Sequence, residues 1–353
     1  MKKVSVKTLI PALLLIPVLV GLGLTLRYAI RLNSTVEASD GLILPVETQA
    51  GIVVPPREPA VSPAPISLDS LIPSENSQTN DPDDAETSPF WSDGILFIGD
   101  EYRSPSLVVK VSVHKDSKTW KKPVVYYVAD IYVKDVTQIR TASSGSGFDR
   151  NGSNRIKTIA KNADALAAIS GDYYACHKTS LVIRNGILYR KRTGYGDVCM
   201  LLRSGEMVTI PKEEVNLDAI IAMDPWQAWE FGPELIDRNG HAKTSFPGCT
   251  IAGENPRSCI GCIEPGHYLF VTVDGRQSAS RGLTLRELAA LMQSLGCTTA
   301  YNLDGGASSQ FYWKGTVYNK PSKGGRKIAD IIYVAKESYP ASQFYAGKTG
   351  SSD

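Results

Sequence analysis

The sequence YLFVTVDGRQSASRGLTLRELAALMQSLGCTTAYNLDGG, residues 268–306, decides the fold that we predict for this chain. It begins and ends with short apolar runs that are typical of buried strands. Between these runs, Thr284 and Glu287 have the spacing of a helix-capping box, and apolar residues follow at helical spacing until Gly296. The order strand, helix, strand predicts a crossover that joins two parallel strands.

Further strands and helices surround this unit. Asn185-Gly186 separates two short apolar runs and predicts a β-hairpin. A second helix is predicted from about Asn154 to Asn162. Additional strands are predicted at 106–114, 124–133, 165–169, 181–183, 187–189, 198–202 and 328–334. We therefore expect an α/β (mixed α+β) fold, a single domain whose mixed sheet contains the parallel β-α-β unit and is flanked by helices.

Acidic residues next to glycine follow three of the predicted strands, at Asp274, at Asp304 and at Asp172. Parallel strands end at the same edge of a sheet, which is where α/β proteins build ligand sites. We therefore expect Asp274 and Asp304 to share one edge, with Asp172 beside them. The alternative is that each Asp and Gly pair forms only a turn.

Charge is unevenly distributed, although the 38 basic and 36 acidic side chains of the 353 residues nearly balance. Residues 1–32 carry five basic and no acidic side chains, whereas residues 33–90 carry ten acidic side chains and one basic. The acidic segment is rich in proline and serine, and such a segment cannot bury enough apolar surface to fold. We expect an anchoring start (1–32), a disordered linker (33–90), a folded domain (91–336) and a C-terminal tail (337–353). The near-neutral total gives no reason to expect a nucleic-acid partner.

Residues 9–26 form an uncharged apolar stretch. As a helix they would extend about 27 Å, which is close to the hydrocarbon thickness of a bilayer. Lysines precede the stretch, so we expect the N-terminus to stay in the cytoplasm. A cleaved signal peptide is the alternative. Both interpretations put the folded domain outside the cytoplasm, either anchored to the membrane or secreted.

Several short segments occur in the order of a known family. They are AISGDYY (168–174), FGPEL (231–235), NPRS (255–258) with Ile260-Gly261, VDGR (273–276), RGLTL (281–285), YNLDGGASS (301–309), NKPS (319–322) with Gly325-Arg326, and DIIY (330–333). Through these segments, roughly residues 96–336 resemble the phosphodiester glycosidase family. The resemblance implies hydrolysis of the bond between the anomeric carbon of a sugar and a phosphodiester oxygen.

Such a reaction has physical requirements of its own. A diester phosphate carries one negative charge, which a guanidinium fork matches. The candidate phosphate ligands are Arg257, Arg276 and Arg326. A carboxylate must stabilise the oxocarbenium-like centre, attack it or activate water. The candidate carboxylates are Asp304, Asp274 and Asp172, in that order. The leaving phosphate has a second pKa of about 6, so a strong general acid is dispensable. The other candidate substrate-binding residues are Asn302, Gly305, Gly306, Ser308, Ser309 and His177.

One residue departs from the family pattern. Many members have asparagine where Ser170 stands, so a substrate contact made by that asparagine would be shorter or lost here. This departure leaves open a non-catalytic glycan-binding or envelope-assembly protein. A metal-dependent phosphodiesterase that cleaves the P–O bond is a second alternative.

The six cysteines are predicted to form disulfides, because disulfides are the default outside the cytoplasm. Cys176 and Cys199 flank the predicted hairpin and form a reasonable pair. The other four would then pair as Cys249–Cys259 and Cys262–Cys297, although six cysteines allow 15 connectivities. The spacing of the cysteines fits no familiar zinc module.

The sequence thus predicts an extracytoplasmic hydrolase, a glycosidase that acts on a sugar-1-phosphodiester in a cell-envelope glycan or exopolysaccharide. The expected partners are this sugar-phosphate glycan and the membrane, through residues 9–26. No cofactor is predicted, and the need for a divalent metal stays open. The sequence identifies neither the sugar nor any protein partner.

Overall fold

Antiparallel strands form most of the computed structural model, which describes residues 88–120, 122–145, 147–148 and 152–338. In chain order, the strands of this part of the chain are β1 (Leu96–Ile98), β2 (Glu101–Arg103), β3 (Leu107–Asp116), β4 (Val124–Val133), β5 (Ile139–Ser143), β6 (Ala165–Ser170), β7 (Val182–Arg184), β8 (Ile187–Arg190), β9 (Val198–Leu202), β10 (Met207–Ile210), β11 (Pro225–Glu230), β12 (Arg257–Glu264), β13 (His267–Val273), β14 (Thr299–Asn302), β15 (Phe311–Trp313), β16 (Thr316–Val317) and β17 (Asp330–Ala335). The α-helices are α1 (Ile156–Asn162), α2 (Leu217–Ala222) and α3 (Leu285–Ser294). Short 3-10 helices span Val136–Gln138, Lys212–Glu214, Gly306–Ser308 and Ser322–Gly324.

The strands are arranged in three sheets. Seven strands form the first sheet, in the order β1-β2-β3-β4-β13-β12-β14. Five strands form the second, in the order β10-β9-β11-β7-β8, and five form the third, in the order β16-β15-β6-β17-β5. Every strand pair in these sheets is antiparallel.

The predicted α/β fold with a parallel β-α-β unit is therefore wrong. Strands β13 and β14 run in the same direction, but β12 lies between them and pairs antiparallel with both. Strand β12 was missed because it lacks the alternation of a half-buried strand. Its first six residues are all buried, and Gly261 interrupts its apolar run. An unpredicted strand thus converts the expected parallel pair into two antiparallel pairs.

Two local predictions are confirmed. Helix α3 begins after Thr284, whose hydroxyl accepts the Glu287 N–H while the Glu287 carboxylate accepts the Thr284 N–H. The hairpin of β7 and β8 turns at Asn185 and Gly186, which have φ angles of 51° and 77°. Positive φ at both central residues is the geometry of a type I′ turn, which asparagine and glycine favour.

One apolar cluster connects all three sheets. It contains Ile260 and Phe270 of the first sheet, Trp226 and Trp229 of the second, and Phe311 of the third. Helix α3 covers the other face of the first sheet, where its leucines pack against β12 and β13. Helices α1 and α2 cover the third and second sheets in the same way. The sheets are thus held together by burial of apolar side chains.

The disulfide prediction is not supported, because all six cysteines are free thiols. Cys199, Cys259, Cys262 and Cys297 lie within the apolar core, where they pack as small hydrophobic residues. Burial raises the pKa of each of these four thiols. The pairs Cys176–Cys199, Cys249–Cys259 and Cys262–Cys297 are therefore corrected to six separate cysteines, of which Cys176 is exposed and Cys249 is half-buried.

The predicted membrane anchor, residues 9–26, lies outside the described residues. The same holds for nearly all of the predicted linker and C-terminal tail. Within the part of the chain that is described, no helix has the length and apolar character needed to cross a bilayer.

We predict that Gly261→Ala lowers the free energy of unfolding by about 1–3 kcal/mol, the usual cost of overpacking a core. An added Cβ would lie 2.6 Å from Met292 Cε and would also collide with Cys297 Sγ. The control is Gly253→Ala, because no atom lies within 4 Å of a Cβ added there. Denaturant unfolding of both variants checks the prediction. Equal stabilities would contradict the close packing of α3 on β12.

Candidate active site

The ends of strands from the first and third sheets meet at one place. Strand β17 begins beside the end of β6, and β12 begins beside the end of β14, because both pairs are antiparallel. The Ser170 Oγ atom lies 2.9 Å from Ser258 Oγ and 2.9 Å from the Asp304 carbonyl oxygen. The Asp304 N–H donates to the Gly171 carbonyl at 3.0 Å. These bonds fix the turn that carries Asp304 against both sheets.

The central feature of the site is a paired carboxylate and guanidinium. Arg326 Nη2 donates to both carboxylate oxygens of Asp304, at 2.9 and 2.8 Å. Arg326 Nε donates to the hydroxyl of Ser308, which follows Asp304 in the short 3-10 helix. The Asp304 side chain is 10% exposed, whereas the Arg326 side chain is 43% exposed. A nearly buried acid is thus held by a cation that reaches solvent.

Two opposing effects determine the ionisation of Asp304. Burial raises the pKa of Asp304 above the ordinary aspartate value, and the negative charge of Asp172 acts in the same direction. The hydrogen bond from Ser308 and the positive charge of Arg326 lower the pKa, but they offset only part of the increase. Asp304 therefore loses its proton at a higher pH than an aspartate in water.

Aromatic rings form a wall beside this pair. The Arg326 guanidinium lies 4.9 Å from the centre of the Tyr173 ring. His177 packs edge-on to Tyr173 at 5.3 Å and stacks on Tyr195 with a centroid distance of 3.6 Å. Burial, followed by the charge of Asp304, raises the pKa of Tyr195. His177 was predicted from the sequence, whereas both tyrosines were missed, although glycines on both sides of Tyr195 are typical of a loop.

Glu230 holds the loop that carries Tyr195. Its Oε1 atom accepts the Thr193 hydroxyl at 3.0 Å and the N–H groups of Gly194 and Tyr195 at 2.8 and 2.7 Å. Its Oε2 atom accepts the Leu181 N–H at 2.6 Å. Such bonds to a buried charge are strong, so one carboxylate fixes the aromatic wall in place. Glu230 was not predicted, because its partners are distant in sequence.

Behind the site, Arg184 lies fully buried between two carboxylates. Its Nη2 atom is 2.7 Å from Asp172 Oδ2, and its Nε atom is 3.7 Å from Asp330 Oδ2. Asp172 Oδ1 also accepts the Tyr174 N–H at 3.1 Å. Burial and the charge of Asp172 raise the pKa of Asp330 well above its ordinary value. Asp172 was predicted as a catalytic candidate. The structure places it in a buried charge network with Arg184 and Asp330, for which no role was predicted from the sequence.

Several predicted ligands are engaged within the protein. Arg257 donates through Nε and Nη2 to the carbonyls of Leu283, Ile251 and Gly253, and burial lowers the pKa of Arg257 to about 10. Asn302 donates to the Gly232 carbonyl at 2.8 Å, and its buried Oδ1 has no hydrogen-bond partner among the described residues. Arg257 therefore anchors loops, while Asn302 keeps one acceptor available.

The Gly-Gly turn brings a second arginine close to Asp304. The Gly305 Cα leaves no room for a side chain, because a Cβ there would lie 2.8 Å from the Pro256 carbonyl oxygen. Gly306 has a φ angle of +63°, and a Cβ there would lie 3.3 Å from both Nη atoms of Arg276. Arg276 is exposed and donates to Asn255 Oδ1 at 2.7 Å. Ser309 is buried, and its hydroxyl has no partner in the described part of the chain.

Asp274 has partners of its own. Its Oδ1 atom accepts the Asn319 side chain at 2.9 Å, and its Oδ2 atom accepts the Lys320 N–H at 3.2 Å and the Tyr127 hydroxyl at 3.3 Å. Burial raises the pKa of Asp274. Asn319 also donates to the Ser309 carbonyl, so Asp274 is connected to the site through one amide side chain. Among the residues that the structure describes, no three His, Cys, Asp or Glu side chains form a cluster suited to a metal ion.

The site thus combines a nearly buried carboxylate, a guanidinium that reaches solvent and an aromatic wall, groups that are suited to bind an anionic ligand. Residues 163–335 match the family model described as phosphodiester glycosidase. The matched family consists of hydrolases that act on phosphodiester-linked sugars. The resemblance predicted from the sequence motifs is thereby confirmed.

Two known proteins are similar to this chain. The chain is 28% identical over 262 residues to the SPbeta prophage-derived uncharacterized protein YomE of Bacillus subtilis (strain 168), covering 72% of this chain but only 38% of that protein. It is also similar in fold to the catalytic domain of zebrafish N-acetylglucosamine-1-phosphodiester alpha-N-acetylglucosaminidase, a structure auto-inhibited by its pro-peptide. That match has a TM-score of 0.56 and 20% identity, and covers 66% of this chain and 85% of the other.

We predict that Asp330→Asn reduces the loss of stability that accompanies rising pH. The folded protein keeps a proton on Asp330 that the unfolded chain releases above about pH 4. The resulting stabilisation is complete below that pH and is lost as pH rises toward the folded-state pKa. Asparagine does not titrate, so the free energy of unfolding of the variant should fall less between pH 4 and pH 8.

Denaturant titrations of both proteins across this pH range check the prediction. Asp218→Asn is the control, because the Asp218 side chain is 87% exposed. Its stability curve should run parallel to that of the unmodified protein. A parallel curve for Asp330→Asn would contradict a proton held on Asp330.

Proposed function

We propose that this protein hydrolyses the bond between the anomeric carbon of a sugar and the oxygen of a phosphodiester. The observation that carries the proposal is the pair formed by Asp304 and Arg326, in which a nearly buried carboxylate is held by a half-exposed cation. The match of residues 163–335 to the phosphodiester glycosidase model supports the class of reaction. In this reaction water adds across the C–O bond, which yields a free sugar and a phosphomonoester.

Arg326 is suited to hold the phosphate while it holds Asp304. A guanidinium has five N–H donors. Three of them are used by Asp304 and Ser308, which leaves the two N–H groups of Nη1 for phosphate oxygens. Arg276 lies on the other side of the Gly306 turn and supplies a second positive charge. Two arginines would thus surround an anionic group next to the carboxylate.

Asp304 is the group that we propose to act on the anomeric carbon. Positive charge develops on this carbon as the C–O bond breaks, and an adjacent carboxylate stabilises it or attacks it. The departing phosphate has a second pKa of about 6, so it leaves at neutral pH with little protonation. The sugar ring would lie against the wall of Tyr173, His177 and Tyr195.

The position of Ser170 is compatible with the proposed activity. Its side chain is fully buried and lies 2.9 Å from the Asp304 carbonyl oxygen. The residue that replaces the asparagine of many relatives therefore supports the turn that carries Asp304. We infer that Ser170 is a positioning residue in this chain.

We further propose that the enzyme acts outside the cytoplasm on a cell-envelope glycan or exopolysaccharide. This part of the proposal rests on the sequence of residues 1–90, with its basic start, apolar stretch and acidic linker. The similar zebrafish enzyme is named for N-acetylglucosamine-1-phosphodiester. A methyl diester of N-acetylglucosamine 1-phosphate is therefore the first substrate to test. The proposed chemistry needs no metal, because arginines supply the positive charge.

We predict that Asp304→Asn lowers kcat on this methyl diester by about 10²- to 10³-fold, the usual cost of removing a group that stabilises charge in the transition state. Asparagine keeps the shape of the side chain and removes its negative charge. The measurement is sugar release by the purified variant, with its unfolding midpoint as a check on folding. Asp218→Asn is the matched control and should retain full activity, because Asp218 is an exposed residue of α2.

Hydrolysis in oxygen-18 water tests which bond is cleaved. The proposal expects the label in the sugar, and activity in the presence of EDTA. Label in the phosphate would instead show a phosphodiesterase. Tight binding of the diester without turnover would show a glycan-binding protein, and normal turnover by Asp304→Asn would remove this residue from the chemistry.

We predict that Arg326→Gln moves the acidic limb of the kcat/KM profile to higher pH. The active carboxylate is ionised, and Arg326 lowers the pKa that burial has raised. Loss of the cation raises this pKa further, so the variant needs a higher pH to reach its maximum. Arg326→Lys keeps the charge and should move the limb less. An unchanged limb, or one displaced to lower pH, would contradict the electrostatic coupling of the pair.

A further inference from the structure

A cavity of about 470 Å³ lies between the beginning of α1 and the segment that precedes Arg326. Arg155, Lys157 and Thr158 line it from α1, and Gln310 lines it just before β15. This volume is within the range of small-molecule sites. The carboxylate and the arginines that we assign to hydrolysis are not among the described residues that line it. The cavity is therefore a separate candidate site.

The wall of this cavity is positively charged. Arg155 and Lys157 contribute one charge each, and no Asp or Glu is found among the described residues of the wall. Arg155 donates through Nη1 to the carbonyls of Gly324 and Gly325, at 3.5 and 2.9 Å. Its Nε and Nη2 atoms have no acceptor in the described part of the chain, and Lys157 forms no ion pair there. These two basic groups are thus available to an anion.

Gln310 adds a buried amide to the same wall and is only 2% exposed. Its Nε2 atom donates to the Arg326 carbonyl at 2.9 Å, which identifies the other end of the amide as the oxygen. No residue that the structure describes donates to this oxygen, Gln310 Oε1. An amide oxygen accepts hydrogen bonds from hydroxyl groups. A ligand that suits this cavity therefore carries a hydroxyl group as well as negative charge.

Gly325 brings the basic group and the amide close to each other. Its carbonyl accepts from Arg155, and a Cβ added to it would lie 2.6 Å from Gln310 Oε1. One small molecule can therefore contact both side chains. Arg326 follows Gly325 directly, and its carbonyl is held by Gln310. A ligand between Arg155 and Gln310 would thus contact the groups that fix the main chain at Arg326.

We propose that this cavity binds a small hydroxylated phosphate monoester, such as a sugar phosphate, as an effector. A phosphate monoester carries a charge of about −1.5 to −2 at pH 7, which matches the charges of Arg155 and Lys157. The Thr158 hydroxyl is a further donor for phosphate oxygens, and a ligand hydroxyl donates to Gln310 Oε1. The bound ligand connects α1 with the segment before Arg326 and so stabilises the position of that arginine. The binding is independent of the proposed function, whereas its effect on Arg326 rests on it.

Calorimetric titration of the full chain with glucose 6-phosphate tests the binding. Glucose and inorganic phosphate are the comparison ligands, because each lacks one of the two recognised features. We expect both to bind at least about tenfold more weakly than glucose 6-phosphate, since each loses hydrogen bonds to the cavity. Gln310→Leu should reduce the preference for glucose 6-phosphate over inorganic phosphate, because leucine has no acceptor.

Lys157→Ala should raise the Kd for glucose 6-phosphate by about tenfold, the usual cost of losing a hydrogen bond to a charged group. The matched control is Lys161→Ala, which removes another exposed lysine of α1 that does not line the cavity. Because Lys157 is exposed, this pair keeps the test valid if the buried Gln310 variant fails to fold.

Two binding results would overturn the inference. The first is absence of binding, or the same Kd for Lys157→Ala and Lys161→Ala. The second is binding that Arg326→Gln abolishes and Lys157→Ala does not change, because the ligand would then occupy the proposed site of hydrolysis.

Hydrolysis of the methyl diester with and without glucose 6-phosphate tests the effect on Arg326. We expect the ligand to lower KM by about fivefold, the lower end of the usual coupling between two sites, and to have less effect on Lys157→Ala. A KM that stays the same or rises would overturn the effector role. If the methyl diester is not hydrolysed, the hydrolase proposal fails, while the calorimetric comparison of the two lysine variants still decides whether the cavity binds the ligand.

Discussion

The arrangement of the site depends on one buried guanidinium. Arg184 belongs to β7 of the second sheet, Asp330 begins β17 of the third, and Asp172 follows β6 of the third. A buried ion is tolerated only when it is paired and hydrogen-bonded, and removal of one partner costs several kcal/mol. The two sheets cannot separate here without leaving Arg184 unpaired. The loop from Gly171 to Tyr173 is therefore held at a fixed position, and that position is where Asp304 docks.

This constraint explains how Asp304 can be nearly buried and still pair with a cation that reaches solvent. Its N–H donates to Gly171 and its carbonyl accepts from Ser170, so the backbone around it is fixed by the third sheet. Its side chain is then free to pair with Arg326 at the edge of the protein. Burial raises the pKa of Asp304, while Arg326 limits the increase. When it is ionised, a carboxylate in this balance is poorly solvated, which strengthens its interaction with a developing positive charge.

Local features of the fold could be predicted from the sequence, whereas the pairing of distant strands could not. Helix α3 and the turn at Asn185 and Gly186 follow from side chains within a few residues of each other, and both were predicted. Strand β12 has no local signal, because its burial on both faces and Gly261 hide the period of a strand. Its insertion between β13 and β14 changed the fold class. The prediction that Asp274 and Asp304 follow strands of the same direction nevertheless agrees with the sheet, since both strands pair antiparallel with β12.

The candidate site shows the same limit. Asp304 and Arg326 were both predicted as site residues, but the ion pair between them, 22 positions apart in the sequence, was not. Three further residues were missed because their partners are remote in sequence: Glu230, Arg184 and Asp330. The structure also separates two acids that the sequence treated alike. Asp304 faces a cation that favours its charged form, whereas Asp274 is held by neutral donors and a backbone N–H. A charge-paired acid is suited to the positive charge that we propose to develop at the anomeric carbon. The different partners of the two acids therefore favour Asp304 over Asp274 as the reacting carboxylate of the proposed hydrolase.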